Sequence, residues 1–125
     1  MKITTFNPLI VTKDAENVIR MFEELGFERR HRIEATKSNG AEITSVRMKN
    51  ADGFYVDVAQ APNLEHDLSL IRMNVDNFEE AYEFLTARGF RNTQGAETLD
   101  TKTNKSAMMV SPTGYAFDLC QHIKD

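Results

Sequence analysis

Apolar and polar residues alternate along this chain with two different periods. In two segments the apolar residues recur at the spacing of one helix face. The first face consists of Ala15, Val18, Ile19, Phe22 and Leu25, and the second of Phe78, Ala81, Tyr82 and Leu85. Most of the remaining sequence alternates with the period of two that is typical of strands. The pattern therefore predicts two amphipathic helices among a larger number of strands.

Both predicted helices carry start and stop signals. Asp14 and Asn77 are suitable N-caps, and Glu80 follows Asn77 at the spacing of a capping box. Gly26 and Gly89 can adopt the left-handed conformation that ends a helix, and each precedes a phenylalanine. One common spacing relates the caps, the apolar faces and the glycines, which indicates an internal repeat.

The predicted strands have the same order around both helices: one strand precedes each helix and three follow it. Turn residues at 38–40, 50–53 and 111–114 separate the strands, and the polar segment 95–105 is predicted to be a loop. Strands are predicted at 3–11, 28–35, 43–49, 54–60, 68–75, 91–94, 106–110 and 115–122. A ferredoxin-like fold needs two strands between its helices, whereas this chain has room for four. We therefore predict one α+β domain over 1–125, with a βαβββ module at about 1–61 and a second at about 67–123.

Composition narrows the classes of function. Of 125 residues, 41% are hydrophobic and 27% charged, as in a globular domain. The formal net charge of −4 disfavours nucleic acid as a partner, since phosphate binding needs a basic surface. Cys120 is the single cysteine, so no disulfide forms within the chain. No signal peptide and no membrane-length apolar run is present, and we expect a cytoplasmic protein that does not bind membranes.

Two motifs carry a resemblance to a known family. The first is the helix end Leu25-Gly26-Phe27, and the second is the final turn and strand, Ser111-Pro112-Thr113-Gly114-Tyr115-Ala116-Phe117-Asp118-Leu119. With two βαβββ modules, the chain resembles the vicinal-oxygen-chelate superfamily of glyoxalases, bleomycin-resistance proteins and dioxygenases over about residues 3–122. The resemblance implies a curved mixed sheet around a central cavity. It also implies a homodimer.

Metal-dependent members of that superfamily bind a divalent ion through two histidines and two glutamates. The resemblance places these four positions at Asn7, Leu70, Asp57 and Asp118 of this chain. Leucine cannot bind a metal and asparagine is a weak donor, so no metal or other cofactor is expected. The alternative is a weakly held Mg²⁺, Mn²⁺ or Ca²⁺, which prefer oxygen ligands and would need water or substrate to complete the shell.

Strand alternation extends this set of positions. Residues two apart share a face, so Arg72 accompanies Leu70 and is predicted to pair with Asp57 or Asp118 in place of a metal. The expected ligand-binding residues are Asn7, Tyr55, Arg72, Met108 and Cys120. Cys120 is either a small buried apolar residue or half of a thiolate pair with His122 on the same face. The two aspartates are equally consistent with acids on half-exposed strand faces.

The favoured function is metal-independent binding of a small organic molecule, with a cationic or polar ligand suited to the acidic chain. The alternative is a metal-assisted lyase or isomerase of the glyoxalase I type, in which Asp118 or Asp57 moves the proton. A third interpretation is an assembly or regulatory module. The sequence leaves open the identity of the ligand, whether the protein is an enzyme, and whether its cavity belongs to one chain or two.

Overall fold

A computed structural model describes residues 1–36, 42–62, 64–93, 95, 99–100 and 104–122, with side chains for all of these except 31–36, 42–43, 99–100, 104 and 122. Two helices lie among the strands in this part of the chain. The elements are β1 (Ile3–Thr12), α1 (Ala15–Glu24), β2 (Phe27–Thr36), β3 (Glu42–Asn50), β4 (Tyr55–Gln60), β5 (Leu68–Val75), α2 (Phe78–Thr86), β6 (Arg91–Asn92), β7 (Leu99–Asp100), β8 (Asn104–Val110) and β9 (Ala116–His122). The predicted α+β class with two βαβββ-type modules is confirmed.

The chain forms two compact units, of which one comprises Asn7–Ser69. In this unit β2, β3 and β4 are antiparallel neighbours, and β1 runs parallel to β4. Helix α1 covers one sheet face because its apolar residues meet every second residue of β3 and β4. The buried residues of this core are Ala15, Ile19, Val46, Met48, Val56 and Val58.

The other compact unit comprises Met1–Phe6 and Leu70–Asp125. Here β5 runs parallel to β9, β9 is antiparallel to β8, and the short strands β6 and β7 both pair with β8. Helix α2 covers one face over a core formed by Met73, Val75, Phe78, Ala81, Leu85, Phe90, Ala107, Met109 and Leu119. The first six residues thus belong to the same compact unit as residues 70–125.

A glutamine on the last strand of each module binds the backbone at the start of that module's helix. The Gln60 side chain accepts from Ala15 N at 2.8 Å and donates to Lys13 O at 2.6 Å. Gln121 accepts from Phe78 N at 2.7 Å and donates to Asp76 O at 3.0 Å. These bonds satisfy backbone groups at the helix entry that have no partner within the helix. The glutamines therefore hold both helix N-termini against their sheets in the same way.

The predicted caps are correct only in part. Asn77 accepts from Glu80 N at 3.1 Å, as predicted, but the Glu80 carboxylate contacts the ammonium of Met1. Asp14 lies at the N-cap position without a side-chain capping bond, and its carboxylate accepts from Asn17 Nδ2 at 2.6 Å. The prediction that the Asp14 side chain caps α1 was therefore wrong. Gln60 already occupies the first backbone donor of α1.

Replacing Gln60 or Gln121 by alanine is expected to lower the free energy of unfolding by about 1–2 kcal/mol, because each change leaves a helix-terminal N–H and a neighbouring carbonyl without this partner. Urea denaturation followed by circular dichroism measures the loss. Gln60→Glu is the matched control, since it keeps the acceptor for Ala15 N and removes the donor. It should fall between wild type and Gln60→Ala, and equal stability of all three proteins would contradict the role assigned to the glutamine.

The polar segment 95–105 is not a simple loop. Leu99 and Asp100 form β7 against β8, and β8 begins at Asn104, two residues before its predicted start. Backbone pairing with β8 overrides the polar composition here, since strand pairing depends on main-chain groups. The predicted strand 91–94 is confirmed at Arg91 and Asn92, and its last residue, Gln94, lies outside the described residues. Within the described residues, no helix is long and apolar enough to cross a membrane.

Candidate active site

The sheet face opposite α1 carries a polar cluster. Val56 and Val58 point toward the helix, so Asp57 between them points to the opposite face, and Arg47 on β3 does so for the same reason. Arg47 and Asp57 are direct cross-strand neighbours.

Asp57 and Arg47 form a side-on ion pair. Arg47 Nε donates to Asp57 Oδ1 at 2.9 Å, and Arg47 Nη2 donates to Asp57 Oδ2 at 2.9 Å. The same Nη2 lies 3.3 Å from Asn7 Oδ1, and both Asn7 and Asp57 are buried. The Asp57 side chain is 0% exposed, while that of Arg47 is 23% exposed. A buried carboxylate is tolerated only with such a partner, so the guanidinium is what allows an aspartate at this position.

Asp118 and Arg72 form the corresponding pair in the other unit. The two residues are neighbours on the parallel strands β5 and β9, and Arg72 Nε donates to Asp118 Oδ2 at 2.9 Å. Their side chains are 14% and 16% exposed. Phe117 and Leu119 pack with the α2 core, so this pair too lies on the face away from its helix. Of the two partners predicted for Arg72, the structure shows the contact with Asp118.

Sequence reasoning missed Arg47. A signal for it was present in the hairpin between β3 and β4, where Asn50 N donates to Phe54 O at 3.0 Å and so sets the strand register. In a hairpin with this register, residues equally far from the turn face each other. Counting outward from the turn brings Arg47 opposite Asp57.

The remaining predicted site residues are placed as follows. The Tyr55 ring is 37% exposed and lies between two cations, with Arg47 Cζ 5.5 Å and Lys49 Nζ 5.3 Å from its centroid. Met108 is partly buried opposite Asp118 on β8. Cys120 is buried, and its Sγ lies 3.6 Å from Asp118 O.

Leu70 is 7% exposed, as befits an apolar residue. The side chain of His122 lies outside the described residues, so its proposed pairing with Cys120 stays a prediction.

The four positions implied by the superfamily do not fit a divalent metal ion. Leu70 has no donor atom, and both Asp57 oxygens and Asn7 Oδ1 accept hydrogen bonds from Arg47. Asp118 accepts from Arg72. A cation would therefore have to displace a guanidinium from each acid. Among the described residues, no three histidine, cysteine or acidic side chains are grouped as metal ligands.

Two βαβββ-type modules, each with a helix on one face of its strands, define a class of α+β fold, and the sequence identifies the family within it. Residues 3–119 match the Glyoxalase/Bleomycin resistance protein/Dioxygenase superfamily. The chain belongs to this superfamily, as its motifs suggested. A comparison with curated proteins finds no match.

Solved structures share the fold at low sequence identity. A methylmalonyl-CoA epimerase is 19% identical with a TM-score of 0.67, and the alignment covers 94% of each chain. A superfamily member from Vibrio splendidus 12B01 is 20% identical with a TM-score of 0.60, covering 96% of this chain and 99% of that one. A glyoxalase I variant from Zea mays is 16% identical with a TM-score of 0.64, covering 96% of this chain and 43% of that one. These similarities establish the fold. The function has to be inferred from the residues of the site.

Proposed function

We propose that this protein binds a small polar organic molecule without a metal ion, on the sheet faces that carry the two acid–arginine pairs. One observation carries the proposal: Asp57 and Asp118, at the positions where the superfamily holds its metal, each form an ion pair with an arginine. A guanidinium supplies the positive charge that a cation would otherwise supply. Each acid is thereby paired with a positive charge without a metal ion.

Several groups on these faces are accessible to a ligand. Tyr55 and Arg47 are part exposed in one unit, and Arg72 and Asp118 in the other. A planar guanidinium and a carboxylate together offer hydrogen-bond donors and acceptors, while the Tyr55 ring offers an apolar surface. Because each pair is neutral, the pairs favour a polar ligand over a strongly cationic one. The low exposure of each charged group keeps its interaction with a ligand only weakly screened by salt.

The metal-free part of the proposal is tested by elemental analysis of untagged protein after loading with Mn²⁺, Ni²⁺, Zn²⁺ or Fe²⁺ in turn. We expect far less than one equivalent of each ion after desalting. One retained equivalent that disappears in both Asp57→Asn and Asp118→Asn would contradict the proposal. It would favour instead the metal-assisted lyase or isomerase of the glyoxalase I type.

Ligand binding is tested by a thermal-shift screen of small polar organic molecules. A ligand at about one hundred times its Kd stabilises the folded protein by about 2.7 kcal/mol, which raises Tm by several degrees. Arg72→Gln should abolish this shift, because it removes the charged donor beside Asp118. Arg91→Gln, at an exposed arginine of the same unit, is the matched control and should keep the full shift. A hit that survives Arg72→Gln unchanged places the ligand elsewhere.

A further inference from the structure

A groove lies on the opposite side of the Asn7–Ser69 unit, between α1 and strands β2, β3 and β4. Its volume is about 490 Å³, within the range of small-molecule sites. The lining consists of Ala15, Glu16, Ile19, Arg29, Arg30, Thr44, Val46, Val58 and Gln60. The floor is apolar and buried, and the rim is polar. The groove is on the helix-covered face, so it is separate from the ion pair of Asp57 and Arg47.

The internal repeat explains why space remains here. Phe78 and Tyr82 occupy the first residue of α2 and the residue one turn later, with ring centroids 5.8 Å apart. Phe78 is 2% exposed, and Lys105 Nζ lies 5.1 Å from its ring centroid. At the matching positions α1 has Ala15 and Ile19, which are much smaller side chains. The first module therefore lacks the two rings that occupy this region in the second.

The groove does not close by a shift of the helix. Gln60 holds the start of α1 as Gln121 holds the start of α2, through the same pair of backbone bonds. A site closes after loss of side-chain volume only as far as the surrounding structure can move. With α1 anchored to its sheet at this end, the missing rings leave an open groove.

A β-bulge places two arginines at the rim. The register of β2 against β3 shifts between Arg29 and His31, so Arg29 and its neighbour Arg30 both line the groove. Consecutive residues of a regular strand would point to opposite faces, and bulges redirect side chains in this way. Arg29 Nη2 contacts Glu16 at 3.1 Å and Glu23 at 3.4 Å. These carboxylates raise the pKa of Arg29, which stays charged.

Arg30 is held less firmly than Arg29. Its Nη2 lies 3.4 Å from Glu28 Oε2, and both side chains are more than half exposed. Exposed ion pairs of this kind contribute little, because water screens them and long side chains lose freedom in forming them. An incoming anion can therefore replace Glu28 as the partner of Arg30 at little cost in free energy.

We propose that this groove binds a small aromatic carboxylate. The ring takes the place that Phe78 and Tyr82 fill in the second module, and the carboxylate meets Arg30 and Arg29. Two guanidinium groups stand at the rim, and a ligand carboxylate can accept from Arg30 in place of its exposed contact with Glu28. The inference is independent of the proposed function, because it concerns the other face of the sheet.

The test is a titration of the ¹⁵N-labelled full chain with phenylacetate, followed by amide chemical shifts. We expect saturable shifts at the start of α1 and in β3 and β4. Ala15→Phe should abolish them by filling the groove as Phe78 does. Arg30→Gln should weaken binding about ten-fold through loss of a charged donor. Arg20→Gln, at an exposed arginine of α1 outside the lining, is the matched control and should bind as wild type.

Benzylamine carries the same ring with the opposite charge and should give no saturable shifts. Equal binding of benzylamine and phenylacetate would overturn the assignment of a carboxylate ligand. Wild-type binding by Ala15→Phe, or no saturable binding by the wild-type protein, would overturn the site itself. If Ala15→Phe does not fold, Ala15→Leu fills less of the groove and should still weaken binding, while Arg30→Gln tests the charge.

Discussion

Arg47→Met is expected to lower the free energy of unfolding by about 3–5 kcal/mol, because it leaves the carboxylate of Asp57 buried without its charged partner. Asp57 is 0% exposed and receives two bonds of 2.9 Å from Arg47. Methionine retains much of the length of the arginine side chain, so the loss reports charge and hydrogen bonding more than packing. Urea denaturation at neutral pH, followed by circular dichroism, measures it.

The double variant Arg47→Met with Asp57→Asn separates charge from volume. Removing both charges should recover much of the stability lost by Arg47→Met alone, since replacing both members of a buried pair is far less costly than removing one. The two residues touch, so the two changes should not be additive. Additive losses in this cycle would mean that the ion pair is not what stabilises Asp57.

Gly89→Ala is expected to cost about 3 kcal/mol of folding free energy, the sum of backbone strain and a steric clash. Gly89 has a φ of +90°, where side chains other than glycine are strained. A Cβ at this position would lie 2.8 Å from Pro112 Cγ, closer than such atoms approach. The change therefore disturbs the helix end and the turn before β9 together. Thermal or urea unfolding measures the loss.

Gly26→Ala is the matched control for this prediction. Gly26 ends α1 with a φ of +103°, but nothing lies within 4 Å of a Cβ added there. It should cost about 1–2 kcal/mol, the strain alone. Adding Pro112→Ala to Gly89→Ala should remove the clash and narrow the difference between the two glycine variants. If Gly26→Ala is as destabilising as Gly89→Ala, the contact with Pro112 is unimportant.

The two units place their arginines on opposite sides of the acid. Arg47 reaches Asp57 from β3, the antiparallel neighbour of β4, whereas Arg72 reaches Asp118 from β5, the parallel neighbour of β9. At the alternative positions stand Leu9 beside Asp57 and Met108 beside Asp118. Both units therefore pair the acid with an arginine, but the arginine lies on a different neighbouring strand in each unit.

Much of the fold was readable from local sequence signals. Helical periodicity and the repeat indicated both helices, and Gly26 and Gly89 their ends, because helices depend on contacts between residues close in sequence. Alternation grouped Arg72 with the predicted site position Leu70, since residues two apart on a strand share a face. The short strand at Leu99 and Asp100 was missed because its polar residues gain order only by pairing with β8.

The sequence by itself determined the two-module α+β fold and the helix limits, because these follow from local periodicity. The tertiary structure decided which arginine pairs with which acid, because the sequence analysis left Arg72 between Asp57 and Asp118 and did not single out Arg47. Arg47 and Asp57 lie ten residues apart along a hairpin, but Arg72 and Asp118 meet through parallel strands separated by 46 residues. The same holds for Gln60 and Gln121, which reach their helices across 45 and 43 residues. Neighbours on strands that are far apart in the chain depend on the strand order of the sheet, which the alternation of apolar and polar residues along one strand does not encode.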